Sequence, residues 1–150
     1  MLEAFQLLLP RPVPVHHLGM YREPTTLEPV EYYNNLPYHK PSPANAKSAE
    51  EEGGAPSVVF LLDPVIATGG TASAAIQTLF EWGVRKVVVM SVIANDEGIR
   101  RAASQHGEEG DGEKEVEFWV GGVDDGLNDK GMIKPGLGDI GDRLFGTLGK

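Results

Sequence analysis

An alternation of continuous apolar runs with helical periodicity in the second half of the chain constrains the fold more than any other feature. Residues 57–63 (SVVFLLD) have the length and composition of a strand that is buried on both faces. Residues 71–83 carry apolar side chains three and four positions apart, as a helix does, and end in a glycine that suits a helix C-cap. The pattern continues with a strand, a short helix and a strand at residues 84–94, 97–105 and 115–122. This β-α-β-α-β order predicts an α/β fold with a mainly parallel sheet flanked by helices on both faces.

The first third of the chain predicts smaller elements around that sheet. A helix is predicted at residues 2–9, which Pro10 ends and no capping residue precedes. Residues 13–21 and 29–37 predict two strands, the second of which enters a turn, and these form a β-hairpin arm. Residues 38–56 are polar and lack a hydrophobic period, which predicts a disordered surface insertion in a single domain of residues 1–150.

Composition excludes several classes of function. The chain has no cysteine, which removes disulfides, thiolate catalysis and cysteine-type zinc sites. Its net charge is −9 and it has no run of basic residues, so nucleic acid and anionic membranes are poor partners. The apolar runs are far shorter than the roughly 18 residues that a membrane span needs, and no signal-peptide pattern is present. A cytoplasmic location is therefore expected.

The most informative motif joins a predicted strand to a predicted helix in VVFLLDPVIATGGT (residues 58–71). Asp63 ends the strand, where open parallel sheets bind ligands, and small residues then lead into the helix. Small residues let backbone N–H groups converge on an anion, and the first helical turn adds unpaired donors and the positive end of the helix dipole. The pattern predicts a phosphate site; the alternative is a plain turn in which Thr71 caps the helix. A Walker A loop is excluded because no lysine follows Gly69 and Gly70, and the glycine spacing does not fit a dinucleotide fingerprint.

Three blocks of sequence resemble one known family. Residues 124–147 (DDGLNDKGMIKPGLGDIGDRLFGT) resemble the closing segment of uracil phosphoribosyltransferases, and DPVIATGGT is similar to the phosphoribosyl loop of that family. Residues 20–37 (MYREPTTLEPVEYYNNLP) look like its Tyr-Arg strand and the hairpin that follows. The resemblance implies a phosphoribosyltransferase-type sheet with a C-terminal uracil-binding flap. It also implies transfer of a phosphoribosyl group from 5-phosphoribosyl 1-pyrophosphate (PRPP) to uracil, giving UMP and pyrophosphate.

The resemblance implies a role for each matching residue, and three of these residues act at the reaction. Arg22 would contact the pyrophosphate as a permanently charged donor, Asp63 would hold the ribose hydroxyls, and Asp139 would face the phosphoribosyl ligand or its magnesium. PRPP would also be bound by the loop residues Pro64, Val65, Ile66, Ala67, Thr68, Gly69, Gly70 and Thr71. The uracil edge would be read through the backbone of a second set, Ile133, Gly138, Asp139 and Ile140. Backbone reading fits a glycine-rich segment, because a flat base can pair with a backbone that is held in an unusual bend.

The resemblance also implies partners and shows departures from the family pattern. It implies Mg²⁺ bound with PRPP, no metal site made by protein ligands alone, GTP as a candidate activator, and a homo-oligomer, either a dimer or a tetramer. Family members carry a further N-terminal region with a second arginine, so the chain is expected to be N-terminally truncated. Met132 replaces an aromatic residue, and Lys134 replaces a smaller or neutral one. Ile140 replaces an alanine and is expected to crowd the base pocket.

Two other functions stay open at this stage. One is a non-catalytic regulatory relative that binds a phosphoribosyl ligand or a nucleotide or pairs with a full-length subunit, or an inactive fragment; the absent arginine loop favours it. The other is a flavodoxin-like binding domain, which explains the β-α-β core but not the C-terminal block. The acids Asp124, Asp125 and Asp129 do not match an EF-hand and are interpreted as turn formers.

Overall fold

The computed structural model describes residues 1–23, 26, 28–37, 55–104 and 114–147, which form an α/β domain. Its elements in chain order are α1 (Leu2–Leu8), β1 (Leu18–Arg22), β2 (Pro29–Asn34), β3 (Val58–Leu62), β4 (Val65–Ile66), α2 (Gly70–Trp82), β5 (Lys86–Asn95), α3 (Asp96–Ser104), β6 (Glu115–Asp124), β7 (Gly126–Leu127), β8 (Ile133–Lys134) and α4 (Ile140–Phe145). The predicted order of strands and helices is confirmed.

The central sheet is parallel and has β5 in the middle. Strand β3 pairs with one edge of β5, and the short strand β4 continues along that edge. Strand β6 pairs with the other edge over its whole length. Because the three long strands run in one direction, their carboxyl ends lie at one edge of the sheet, which is where α/β proteins bind ligands.

Helices α2 and α3 cover one face of this sheet and enclose the core. The apolar stripe predicted for α2 is buried, and its members are Ala72, Ala75, Ile76, Leu79 and Phe80. All of these except Ala75 pack in one cluster with Val87 and Val89 of β5 and Ala102 of α3, and these three partners have no exposed surface. Gly83 ends α2 with a left-handed backbone (φ 107°), as the sequence predicted.

The opposite face of the sheet is only partly covered in the described residues, which corrects one prediction. Val58 and Phe60 of β3 are 44% and 46% exposed, so β3 is not buried on both faces. The ring of Phe60 lies 5.0 Å from the ring of Phe5 in α1. The short helix α1 therefore gives this face its cover, and helices lie on both faces of the sheet as predicted.

The predicted hairpin is present, but its first strand is shorter than expected. Strands β1 and β2 pair antiparallel from Leu18 to Arg22, whereas residues 13–17 are not in a strand. Pro14 has no N–H to donate to a ladder, and the N–H of His17 donates to the side-chain oxygen of Asn35 instead, at 2.8 Å. The segment that follows β2 is held against α2, because the indole Nε1 of Trp82 donates to the carbonyl of Pro37.

Most of the predicted insertion at residues 38–56 lies outside the described residues, so its disorder stays a prediction. No helix in the described ranges is long and apolar enough to cross a membrane.

Candidate functional site

Each of the three long parallel strands ends next to a polar side chain at the carboxyl edge of the sheet. Asp63 directly follows β3, Asn95 is the last residue of β5, and Asp124 is the last residue of β6. Asn95 and Asp124 are register partners in the ladder. The sequence predicted Asp63 here, whereas Asn95 was not singled out and Asp124 was interpreted as a turn former. The structure corrects that interpretation of Asp124, because it belongs to a strand and to this edge.

The carboxylate of Asp63 lies in a partly buried position beside the loop that the sequence predicted to bind phosphate. The backbone N–H of Asp63 donates to the carbonyl of Met90 at 3.1 Å, which fixes its backbone to β5. The N–H of Val65 donates to Asp63 Oδ1 at 3.4 Å. Burial raises the pKa of Asp63 above its ordinary value of 3.8, and the hydrogen bond from Val65 lowers it by less. A buried carboxylate of this kind suits donors such as ribose hydroxyls, which would compensate the lost hydration.

The loop between β4 and α2 brings backbone donors to a helix N-terminus. Gly69 is the N-cap of α2 and has a left-handed backbone (φ 77°), and no side chain caps the helix there. Thr71 therefore does not act as the N-cap, which removes the plain-turn alternative in its predicted form. Asp63, the loop and the first turn of α2 line one hollow, and the lining residues are Asp63, Val65, Ile66, Ala67, Gly69, Thr71 and Ala72. A helix N-terminus facing such a hollow is a site for an anionic group.

The first turn of α3 packs directly against this loop. A Cβ added at Gly98 would lie 2.1 Å from the carbonyl oxygen of Ala67, and one added at Gly69 would lie 2.1 Å from the carbonyl oxygen of Gly98. Both approaches are backbone against backbone, so glycine is required at both positions for steric reasons. The loop is thus held between the start of α2 and the start of α3. Gly98 could not be recognised from the sequence, because it stands in an ordinary helical pattern.

The segment after β6 forms a small flap at the same edge. Strands β7 and β8 make an antiparallel hairpin in which Leu127 pairs with Ile133. The side-chain oxygen of Asn128 accepts from the N–H groups of Lys130 and Met132, at 3.0 and 2.9 Å, and this shapes the turn. Ile133 is only 6% exposed and anchors the flap in the apolar interior.

Ile133 lies in β8, and the other predicted uracil-reading residues come after an irregular, glycine-shaped loop begins at the end of that strand. Gly136 has a positive φ of 47°, and a Cβ there would lie 2.1 Å from the carbonyl oxygen of Ile133. The N–H of Gly136 donates to Asp124 Oδ2 at 2.8 Å, which ties the loop to the end of β6. Gly138 is exposed and has a φ of 76°. Exposed backbone groups of this kind can meet the edge of a flat ligand.

Asp139 and Ile140 lie where the flap loop enters the last helix. Asp139 is the N-cap of α4, and its Oδ1 accepts from the N–H of Asp142 at 2.9 Å. Its carboxylate is exposed and keeps further lone pairs for a ligand or a hydrated cation. Ile140 is the first residue of α4 and is 36% exposed. The described geometry leaves their predicted roles toward uracil and magnesium as predictions.

Arg22 lies in the hairpin whose other strand contacts the start of α2. Arg22 ends β1 and is the register partner of Pro29. A Cβ at Gly70 would lie 3.7 Å from Cδ of Pro29, so the hairpin contacts the first residue of α2. This placement is consistent with a role for Arg22 at the same ligand.

Metal binding by side chains alone has no support in the described part of the chain. No group of three or more His, Cys, Asp or Glu side chains there could hold an ion. The two carboxylates of the predicted site, on Asp63 and Asp139, are hard oxygen ligands. Carboxylates of this kind fit Mg²⁺, which is bound by one or two carboxylates together with substrate phosphates.

The fold and the site together define a class of protein: an α/β domain with an acid-ended strand and a phosphate-binding loop at a helix N-terminus. The family model described as uracil phosphoribosyltransferase matches residues 1–147. The chain belongs to the uracil phosphoribosyltransferase family.

Individual relatives agree with the family model. The chain is 43% identical over 147 residues to the uracil phosphoribosyltransferase of Finegoldia magna, and 41% identical over 147 residues to that of Thermus thermophilus. Each match covers 98% of this chain and 60% of the relative. The chain therefore spans about 60% of the length of the curated relatives it matches.

A solved structure gives the same result for the fold. It is described as the structure of the AQ2163 protein from Aquifex aeolicus, with a TM-score of 0.66 and 41% sequence identity. The similarity covers 87% of this chain and 52% of that one. The predicted fold class is confirmed.

Proposed function

We propose that this chain carries the phosphoribosyl transfer site for uracil, in which uracil and PRPP give UMP and pyrophosphate. The observation that supports this most strongly is the shared carboxyl edge of the sheet, where a phosphate-type loop follows β3 and a glycine-shaped flap follows β6. Family membership and the relatives named uracil phosphoribosyltransferase support the same reading.

The phosphoribosyl half of the proposed site uses backbone donors and one buried acid. N–H groups of the loop around Gly69 and of the first turn of α2 would bind the 5′-phosphate, with the helix dipole adding to the attraction. Asp63 would accept hydrogen bonds from the ribose hydroxyls, and these bonds favour its ionised form. A substrate held at both ends in this way has its anomeric carbon fixed in position.

The chemical step needs charge stabilisation more than a nucleophile from the protein. A ring nitrogen of uracil forms a bond to the anomeric carbon, the bond from that carbon to the pyrophosphate oxygen breaks, and the N–H proton of uracil leaves to solvent or to pyrophosphate. Negative charge grows on the departing pyrophosphate, and Arg22 would stabilise it. Mg²⁺, when bound with PRPP through Asp63 or Asp139, would neutralise part of the same charge.

The uracil half of the proposed site is built from backbone. The exposed turn around Gly138, with Ile133 before it and Ile140 after it, would offer N–H and C=O groups to the alternating carbonyl and N–H groups of the base. A site that pairs with these groups discriminates strongly against bases that leave its own polar groups unpaired.

Further properties belong to the same proposal and rest on the family resemblance. They are a cytoplasmic location, assembly into a dimer or tetramer, and activation by GTP. Each has its own measurement: cell fractionation, sedimentation, and the rate of UMP formation with and without GTP.

The direct test is to incubate the purified chain with labelled uracil, PRPP and Mg²⁺ and to follow labelled UMP. Asp63→Asn should abolish UMP formation, because it removes the charge that accepts from the ribose. Glu115→Gln is the matched control, since Glu115 pairs with Lys86 at the amino end of the strands, far along the sheet from the site. Binding of PRPP without any UMP formation would refute the transferase proposal and favour a ligand-binding relative.

A further inference from the structure

We propose that Asp124 is a positioning residue for base recognition, because its carboxylate holds the backbone loop that reads uracil. The inference rests on the proposed function and deepens its uracil half. Asp124 Oδ2 accepts a 2.8 Å hydrogen bond from the N–H of Gly136, twelve residues further along the chain. The bond joins the rigid end of β6 to the irregular loop between Ile133 and Gly138.

The loop needs an anchor of this kind because, in the described residues, little besides the buried side chain of Ile133 fixes it to the sheet. The hairpin before it has only two register pairs, and Lys134, Pro135 and Gly138 are exposed. Gly136 has a backbone conformation that L side chains rarely adopt. A site that binds through backbone N–H and C=O groups must hold them within about 0.5 Å of the productive geometry. A hydrogen bond to a charged acceptor at the centre of the loop meets that need.

Asp124 is itself held by a buried amide. The side-chain Nδ2 of Asn95, which is 2% exposed, donates to the carbonyl oxygen of Asp124 at 3.1 Å. The Oδ1 of the same side chain accepts from the N–H of Glu97 at 3.1 Å, at the start of α3. Both polar ends of Asn95 are therefore used, and the side chain joins β6 to α3.

The contacts continue to the phosphoribosyl loop. Helix α3 touches that loop through Gly98, which approaches the carbonyl of Ala67. A continuous set of contacts thus runs from the phosphate loop through Gly98, Asn95 and Asp124 to Gly136. Because the reaction joins an atom of the base to an atom of the ribose, the two half-sites must be held in one frame. Within this set, Asp124 is the residue whose side chain binds the proposed uracil-reading loop.

The first test is hydrogen exchange at the Gly136 amide, which does not require turnover. Asp124→Ala should speed exchange in residues 133–138 and leave residues 67–71 as protected as in the parent chain. Asp124→Asn should restore part of the protection, because the amide oxygen still accepts a hydrogen bond. Asp125→Ala is the matched control, since it removes the same charge from the exposed neighbour and should change neither segment.

The second test separates the two substrates kinetically. Asp124→Ala should raise KM for uracil by about tenfold to a hundredfold, the range expected when a hydrogen bond to a charged group is lost, while KM for PRPP stays unchanged. On a logarithmic scale, the KM of Asp124→Asn for uracil should lie roughly midway between those of the parent chain and Asp124→Ala, because a neutral hydrogen bond is about half as strong as a charge-assisted one. A merely structural role would instead lower activity with both substrates together.

The outcomes distinguish this inference from the proposed function. If the parent chain forms no UMP, the proposed function fails, while faster exchange at Gly136 in Asp124→Ala still supports the positioning role. If the parent chain is active and Asp124→Ala leaves both the exchange of residues 133–138 and KM for uracil unchanged, the positioning role is wrong. Equal losses toward uracil and PRPP also overturn it.

Discussion

Replacing Gly98 by alanine tests whether helix α3 sets the position of the phosphoribosyl loop. The new Cβ would lie 2.1 Å from the carbonyl oxygen of Ala67, whereas real Cβ atoms essentially never lie within 3.0 Å of another heavy atom. Helix and loop must therefore separate by about 0.9 Å. A displacement of about 1 Å at a substrate-positioning element can cost roughly a hundredfold in rate. We expect kcat/KM for PRPP to fall by about that factor.

The stability of the same variant should change much less than its activity. Alanine is favoured over glycine by about 1 kcal/mol in a helix, while forcing extra volume into a packed contact costs about 1–3 kcal/mol. The net loss is at most about 2 kcal/mol, which in a chain of this length lowers Tm by up to about 8 °C. The assays are UMP formation at varied PRPP, calorimetric binding of PRPP, and thermal unfolding monitored by circular dichroism.

A second glycine supplies the control for this experiment. Gly122 lies in β6, is exposed, and a Cβ there would meet nothing within 4 Å. Gly122→Ala should leave PRPP binding and UMP formation unchanged. If Gly98→Ala is folded at the assay temperature and binds PRPP as tightly as the parent chain, the contact with Ala67 does not set the loop position, and the reasoning from this contact is refuted.

Three further predictions concern the acid and the flap. Burial raises the pKa of Asp63, so the folded chain favours the protonated carboxyl group. The stability that this gives is fully present below the ordinary pKa near 3.8 and is lost as the pH rises through the raised pKa. Asp63→Asn should therefore melt higher than the parent chain at pH 7 and equally below pH 3.8, in thermal scans across pH; a lower Tm at pH 7 would contradict this. Gly136→Ala should raise KM for uracil because its Cβ would lie 2.1 Å from the carbonyl of Ile133, whereas Gly126→Ala, with nothing within 4 Å, should not. Ile140→Ala should lower KM for uracil if Ile140 crowds the base, and an unchanged or higher KM would show that it does not.

The parts of the fold that were predictable are those in which local pattern and packing agree. The α2 stripe and its terminal Gly83 follow from a 3.6-residue period and a C-cap signal, and both were confirmed. The burial of β3 was overestimated because an apolar run shows only that a strand can be buried on both faces. Whether it is buried depends on what covers the second face, and the run itself carries no information on that.

The candidate site could be proposed from the sequence where its residues are neighbours in the chain, and not where it depends on tertiary contact. Asp63 and the loop around Gly69 are adjacent in sequence, so their order indicated a phosphate site directly. Asn95 ends an apolar strand and Asp124 begins a run of turn formers, and neither position carries a motif. Their function follows from the parallel register that makes them neighbours and from a hydrogen bond to Gly136, and neither is visible before the strands are paired.

The proposed site would bind its ligands mainly through backbone groups, and this affects how it should respond to substitution. The proposed base-reading loop and the proposed phosphate loop would both bind through backbone groups, and each is shaped by a backbone-to-backbone approach at Gly136 or at Gly98. Truncating an exposed side chain such as that of Lys134 leaves those groups in place, whereas adding a single methyl group at either glycine moves them. The substitutions that most impair such a site are therefore small ones at glycine, together with loss of the few acids that accept from ligand or backbone, Asp63 and Asp124. Recognition by backbone groups therefore predicts the result of a mutational scan. Glycine-to-alanine changes should lower activity more than truncation of the neighbouring exposed side chains does.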